Sequence, residues 1–380
     1  MTTDLRELMT ERADRLDPPV VDVSAIMTAA HGRVRRRRYA AAVGAAALAA
    51  AVVVALPGVL AGAGGDDDLV AAAPADPEDP VAWVRGTVLH LSPDGPTVDL
   101  GARGTAPVSL VQGASGFVFA EADGSVHAVL DGDVLEVGVL EAPEAARFES
   151  DGDVVAWVDA DGGDTAYAVI DLAQGTGVTR LPVTDGTATP LEREVDMTAS
   201  VAAVDGGTVY LRTADGVTAW EPFSGDDSLV PLTGAPGTRV MVEDVKNGVF
   251  HYQRTGGTPA DKEEAYVVGP DLATGVEVES WDGILSPDGR HLISETADVN
   301  IVSDAVTGER LPFDIGDYAF LAGYRWLDDD TYAALAMKGL RDEVVDLVRC
   351  EVATGRCQPV VTGEDLVGDT ALVLPRGESW

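Results

Sequence analysis

Few residues of this chain could do chemistry, and their spacing narrows what that chemistry could be. Hydrolysis by an activated serine needs a nucleophile elbow, Gly-x-Ser-x-Gly, and that string does not occur. Of the five histidines, His31 stands before the apolar run described below, while His90, His127, His251 and His291 fall in different repeating units. A triad would have to be assembled across units, so these residues read as packing or surface groups. Asp159-Ala-Asp161-Gly-Gly-Asp164 offers three carboxylates, hard oxygen ligands of the calcium type. It lacks the spacing and closing glutamate of an EF-hand loop, and in a chain full of Asp-Gly turns it reads as a hairpin. Asp328-Asp329-Asp330 reads the same way. Tyr318, Phe320, Tyr324, Trp326 and Tyr332 form the densest aromatic stretch. They read as strand packing, with a binding patch at a loop end as the alternative. No catalytic, metal or cofactor site is expected.

Cys350 and Cys357 are the only cysteines, and a tight hairpin through Ala353-Thr354-Gly355 would set them face to face. In an oxidising compartment such a pair forms a disulfide. Two cysteines without a nearby histidine are half a zinc site, which makes the metal reading the weaker one.

The compartment follows from the elements around these residues. Arg35-Arg36-Arg37-Arg38 is followed by Tyr39–Gly64, which holds no charged residue. As a helix rising about 1.5 Å per residue, that run is long enough for a bilayer core of about 30 Å. It is too long for the apolar region of a cleaved signal peptide. The arginine block holds the short N-terminal side in the cytoplasm. The expected layout is a cytoplasmic helical segment 1–38, a transmembrane helix 39–64, an acidic Ala/Pro linker 65–80 and an exported domain 81–376. This is a cell-membrane protein with its N-terminus inside.

Charge divides along the same line. Residues 1–38 hold eight arginines and six acids, and the rest holds 18 basic and 58 acidic residues. An outer part with a net charge of −40 repels phosphate backbones, which excludes nucleic acid as a partner. The acids are spread through turns, as on a solvated surface.

From residue 81 onward, short apolar or alternating runs are separated by Gly, Asp and Pro, the pattern of an all-β domain. One hairpin type recurs: Asp171-Leu-Ala-Gln-Gly175, Glu221-Pro-Phe-Ser-Gly225, Asp271-Leu-Ala-Thr-Gly275, Asp304-Ala-Val-Thr-Gly308 and Glu351-Val-Ala-Thr-Gly355. Most of the intervals fit four-stranded propeller blades of about 40–50 residues. Units fall near 108–138, 148–183, 199–232, 240–280, 281–313 and 318–361. Residues 81–104 form a partial unit that the strand within 370–375 could complete, closing the ring. The count is a seven-bladed β-propeller, with six and eight also compatible with the spacing. Leu91-Ser-Pro-Asp-Gly95 and Leu285-Ser-Pro-Asp-Gly289 form a second repeated element.

These turn elements resemble the TolB-like and WD40-like propeller repeats. The whole layout looks like actinobacterial single-pass membrane proteins with an extracytoplasmic propeller. The Gly-His of true WD40 blades is absent, and the single Trp-Asp, Trp281-Asp282, opens a unit instead of closing one. The resemblance implies a fold more than an activity. The expectation is a binding or scaffolding module at the cell envelope, not an enzyme, engaging an envelope protein or a glycan and held to the membrane by one helix. A transmembrane signal transducer of the anti-sigma kind, its cytoplasmic segment binding a regulator, is the alternative; it would lack the His-x3-Cys-x2-Cys of zinc-type members. An envelope hydrolase is the third reading.

Overall fold

The structure, a computed structural model, describes residues 81–376 apart from 94, 101–105, 131–132, 141–146, 161–163, 184–199, 214–215, 226–227, 237, 256–263, 280–282, 296–299, 341–342 and 366–371. The expected cytoplasmic segment, transmembrane run and linker lie outside the described residues. Among the described residues, no helix is long and apolar enough to cross a membrane.

The strands form seven antiparallel sheets. Blade 1 holds β1 (Trp83–Arg85), β2 (Val88–His90) and β3 (Thr97–Asp99). Blade 2 holds β4 (Pro107–Gln112), β5 (Gly116–Glu121), β6 (Ser125–Leu130) and β7 (Asp133–Val139). Blade 3 is β8 (Glu149–Asp151), β9 (Val154–Asp159), β10 (Ala166–Asp171) and β11 (Val178–Pro182). Blade 4 is β12 (Ser200–Asp205), β13 (Thr208–Thr213), β14 (Gly216–Trp220) and β15 (Leu229–Leu232). Blade 5 is β16 (Arg239–Lys246), β17 (Val249–Thr255), β18 (Glu264–Gly269) and β19 (Val276–Val278). Blade 6 has β20 (Gly283–Leu285), β21 (His291–Glu295) and β22 (Asn300–Asp304). Blade 7 has β23 (Phe320–Trp326), β24 (Thr331–Met337), β25 (Val344–Glu351) and β26 (Cys357–Asp365).

Each sheet runs up and down in chain order, and the first strand of one blade touches the first strand of the next: β4 with β8, then β12, β16, β20 and β23. The ring closes as the sequence suggests. The last strand, β27 (Leu372–Val373), pairs antiparallel with β1 and meets β4, so it is the innermost strand of blade 1. Arg85 of β1 adds an ion pair to Glu364 at 2.6 Å and a hydrogen bond to the Asp365 carbonyl, both on the last strand of blade 7. Closure of this kind gives the lone C-terminal strand a partner, and the radial repeat leaves only short sheet edges.

Side chains alternate along a strand, so each sheet feeds two cores, one on either side. Val155 and Trp157 of β9 face blade 2, packing with Val118 and Ala128, while Ala156 between them faces Val204 and Trp220 of blade 4. Because both faces are covered, mid-blade strands read as nearly continuous apolar runs, such as Phe117-Val-Phe-Ala120 and Tyr332-Ala-Ala-Leu-Ala336.

The recurring turns sit at equivalent places. All five Asp/Glu-x-x-x-Gly elements follow the third strand of their blade. Asp271 and Asp304 accept backbone N–H bonds from the second and third residues after them, and the position next to the acid is buried in every copy. Gly175, Gly225, Gly308 and Gly355 take positive φ, which glycine supplies at least cost, while Gly275 does not. Two expectations change. The Ser-Pro-Asp-Gly copies lie at different hairpins, one after the third strand of blade 1 and one between the first two strands of blade 6. Ser92 and Ser286 each cap a short turn, a local motif that does not mark blade register. Blade 6 has three full strands, its fourth reduced to the bridge between Ser303 and Arg310.

The acidic turns are more than a solvated surface. Asp153 accepts from the Ser115 amide and hydroxyl, joining blades 3 and 2. Asp151 accepts from Gly206 N at 2.9 Å, and Asp205 from Asn247 N and Gly248 N at 2.7 and 2.8 Å. Asn247 Nδ2 then donates to the Asp288 carbonyl at 3.0 Å. These hairpins, between the first and second strands of successive blades, are laced from blade 2 to blade 6 at one end of the ring.

Candidate binding cavity at the propeller axis

A cavity of about 410 Å³ lies at that same end, lined from blades 1, 2, 3, 5, 6 and 7. Its wall comes from the ends of the innermost strands and the residues beside them, including Gln112, Phe148, Asp151, Lys246, Leu285, Trp326 and Arg376. A polar axis with an apolar component is what a propeller leaves once its blades have packed laterally.

Two irregularities shape the wall. Four of the innermost strands carry a shift of register against their neighbours: β4 after Pro107, β12 after Val201, β16 after Val242 and β23 after Gly323. A bulge inserts a residue and re-aims side chains. In β16 and β23 the residues at the bulge, Glu243-Asp244 and Tyr324-Arg325, line the cavity as adjacent pairs, breaking the strict alternation of a regular strand.

The charges around the cavity are largely tied. Arg147 pairs with Glu149. Lys246 Nζ donates to the carbonyls of Ser150 at 2.8 Å and Val204 at 2.7 Å, and lies 3.6 Å from Asp151. One lysine thus ties blade 5 to blades 3 and 4. Glu243 pairs with Arg212 at 3.1 Å. Asp244 is buried and accepts from Val245 N and Leu285 N, both at 2.8 Å, bridging blades 5 and 6. Burial raises its carboxyl pKa, while Lys246 and the two amides pull it down.

Arg325 differs. It is partly buried, and among the described residues its guanidinium has no hydrogen bond or ion pair. Burial lowers its pKa to about 10, which leaves it a cation at neutral pH. Beside it, the buried Tyr324 hydroxyl has no hydrogen-bond partner, and burial pushes its pKa well above the ordinary phenol value.

The residues singled out in the sequence take other places. Cys350 and Cys357 are register partners on β25 and β26 and form a disulfide, with Cα atoms 4.0 Å apart. Glu351 N bonds the Arg356 carbonyl next to them, so the cysteines form the closer, non-hydrogen-bonded kind of cross-strand pair. His90 stacks on Trp83, His127 on Phe119 and His251 on Tyr266 within their own blades, and His291 of blade 6 stacks on Trp326 of blade 7. Asp159 is buried and accepts from Val139 N at 2.8 Å and Arg180 Nε at 2.6 Å, which makes it a strut between blades 2 and 3. Its neighbour Asp161 lies outside the described residues. Asp328 caps its own turn through Asp330 N and Thr331 N. Among the described residues, no group of three His, Cys, Asp or Glu side chains could hold a metal ion. The aromatic stretch packs as expected, and two of its members also line the cavity. Trp326 meets Tyr332 edge-on and donates from Nε1 to the Ile284 carbonyl at 2.8 Å, while Tyr324 and Trp326 also reach the cavity.

The sequence reading missed Arg325, Asp244 and Lys246. Two signals pointed to them: adjacent charged or polar residues inside otherwise alternating strands, and a lysine in a chain that has only Lys246, Lys262 and Lys338.

The class that the sheets define is a seven-bladed β-propeller with a cavity at its axis. No family model matches the chain, and no curated protein matches it. Among solved structures, TolB from Acinetobacter baumannii is similar at 13% identity, covering 80% of this chain and 69% of that one, with a TM-score of 0.39. A likeness at that level carries no argument here; the fold assignment rests on strand pairing and ring closure.

Proposed function

We propose that this chain is a binding or scaffolding module, a propeller held outside the cytoplasm by the span at 39–64 and engaging an envelope protein or glycan at the cavity end of its ring. The observation that carries the reading is the axial cavity, walled by six blades and edged by charged residues of which Lys246 and Asp244 are tied to neighbouring blades. A wall held in that way presents preorganised groups to a ligand, which lowers the ordering cost of binding. The exported location rests on the arginine block before the apolar run and on the disulfide, which an oxidising compartment maintains. The four described histidines sit in four different blades, each stacked on an aromatic ring, an arrangement that favours binding over hydrolysis.

Site-specific photocrosslinking in the native host tests this. A benzophenone side chain at Gln112 or Pro287, on the cavity wall, should give a discrete adduct with an envelope component. The same group at Val230, exposed on the outermost strand of blade 4, should not. Adducts of equal yield from all three positions, or none from the cavity positions, would overturn the reading. A reporter active only in the cytoplasm, fused at the C-terminus, should stay silent.

A further inference from the structure

We propose that the axial cavity takes an organic carboxylate with an apolar body, and that Arg325 is the residue that anchors its charged end. This rests on the reading of the ring as a binding module and adds the ligand's chemical class.

The cavity wall holds four basic and four acidic residues: Arg147, Lys246, Arg325 and Arg376 against Glu149, Asp151, Glu243 and Asp244. All four acids are engaged, Glu149 by Arg147, Asp151 by Lys246 and Gly206 N, Glu243 by Arg212, and Asp244 by two backbone amides. Arg325 therefore faces no carboxylate that binds it, in a protein whose formal net charge is −38 and where acids are abundant. A guanidinium presents parallel N–H donors that match a carboxylate or phosphate in two-point contact. The strongly acidic surroundings disfavour a multiply charged phosphate and leave a monoanion as the better fit. The same wall also has an apolar part: Phe148, Ile284, Leu285, Trp326 and Pro375. A ligand that is all charge would leave that surface wet, whereas a carboxylate on an aromatic or aliphatic body would cover it. The bulge in β23 supplies the geometry, setting Tyr324 and Arg325 side by side on the cavity wall.

Isothermal titration of the full chain in detergent, with 3-phenylpropionate and its neutral amide as probes, tests the proposal. The carboxylate should bind at least tenfold tighter than the amide. Arg325→Gln should remove that preference, and Arg325→Lys should retain part of it. Arg254→Gln, which breaks a surface pair with Glu277 in blade 5, should leave the preference intact. Circular-dichroism melting of each variant checks that the ring is folded. Equal binding of the two probes by the wild type, a preference that survives Arg325→Gln in a folded protein, or no binding of the carboxylate would overturn the proposal. If the crosslinked adduct from Gln112 or Pro287 still forms in that case, the binding reading stands and only the ligand class fails.

Discussion

Replacing Lys246 by methionine should measure how far the ring depends on its inter-blade ties. The substitution keeps an unbranched apolar stem and removes the ammonium. The structure gives that group two short hydrogen bonds, 2.8 Å to the Ser150 carbonyl and 2.7 Å to the Val204 carbonyl. A hydrogen bond to a charged group contributes about 1.5–3 kcal/mol. The lower figure applies to each bond here, because the adjoining cavity lets water reach the freed carbonyls. The contact with Asp151 is 3.6 Å long and that carboxylate side chain is 31% exposed, so it adds little. The expected loss is about 3 kcal/mol. In a domain of this size each kcal/mol moves the melting temperature by about 2 °C, so Lys246→Met should melt about 6 °C below the wild type. Scanning calorimetry of the full chain reads the shift, and urea titration should show an unchanged m-value with a lower midpoint. A shift of less than about 1 °C would mean the three blades are held together without the lysine, and the lacing described here would be incidental.

Three further outcomes follow from the same geometry. Mass spectrometry of unreduced protein should find a linked 350–357 peptide, and reduction should cost about 2–3 kcal/mol, the loop-closure entropy of so short a loop. His251 is buried with its ring pKa lowered to about 4 from 6.5, so the fold holds it neutral. Its contribution is complete above pH 6.5 and drains away as pH falls toward 4; by pH 4.5 the wild type should lose about 2–3 kcal/mol more than His251→Phe, and parallel losses in urea titrations would refute this. A Cβ added at Gly283 would stand 2.6 Å from His251 Cε1 and 2.7 Å from Leu292 Cδ1. Gly283→Ala should therefore cost about 1–3 kcal/mol through overpacking, and a neutral effect would show that the contact between blades 5 and 6 has slack.

The blade pattern was legible because propeller blades repeat local rules. In five of the seven blades the turn after the third strand reuses one hairpin chemistry, and the acid and glycine of Asp304–Gly308 or Glu351–Gly355 are visible without any knowledge of neighbours. Ring closure was legible for a related reason: a three-strand remnant at one end and a lone apolar strand at the other have one economical pairing. The Ser-Pro-Asp-Gly copies misled because a serine-capped turn answers only to its own few residues, and both hairpins can use it. The cavity was not legible. Its composition depends on bulges at Glu243 and Tyr324, and each inserts a residue that a two-residue period cannot register. The acids at Asp151 and Asp205 looked like solvated charge, because the amides they accept from belong to blades more than forty residues further along the chain.

The central claim is a closed ring around an axial cavity, and the pairing of the two chain ends tests it most directly. Val84 on β1 and Val373 on β27 are register partners, both buried. Cross-strand partners carry Cβ atoms about 4.5–5.5 Å apart, close enough for a disulfide after slight adjustment. Cysteine at both positions in the full chain, oxidised mildly and digested, should yield a linked peptide joining residues 84 and 373, alongside the native 350–357 link. Two free thiols at 84 and 373 in a folded protein would mean that the last strand does not complete blade 1, and the ring, with the cavity it encloses, would have to be abandoned.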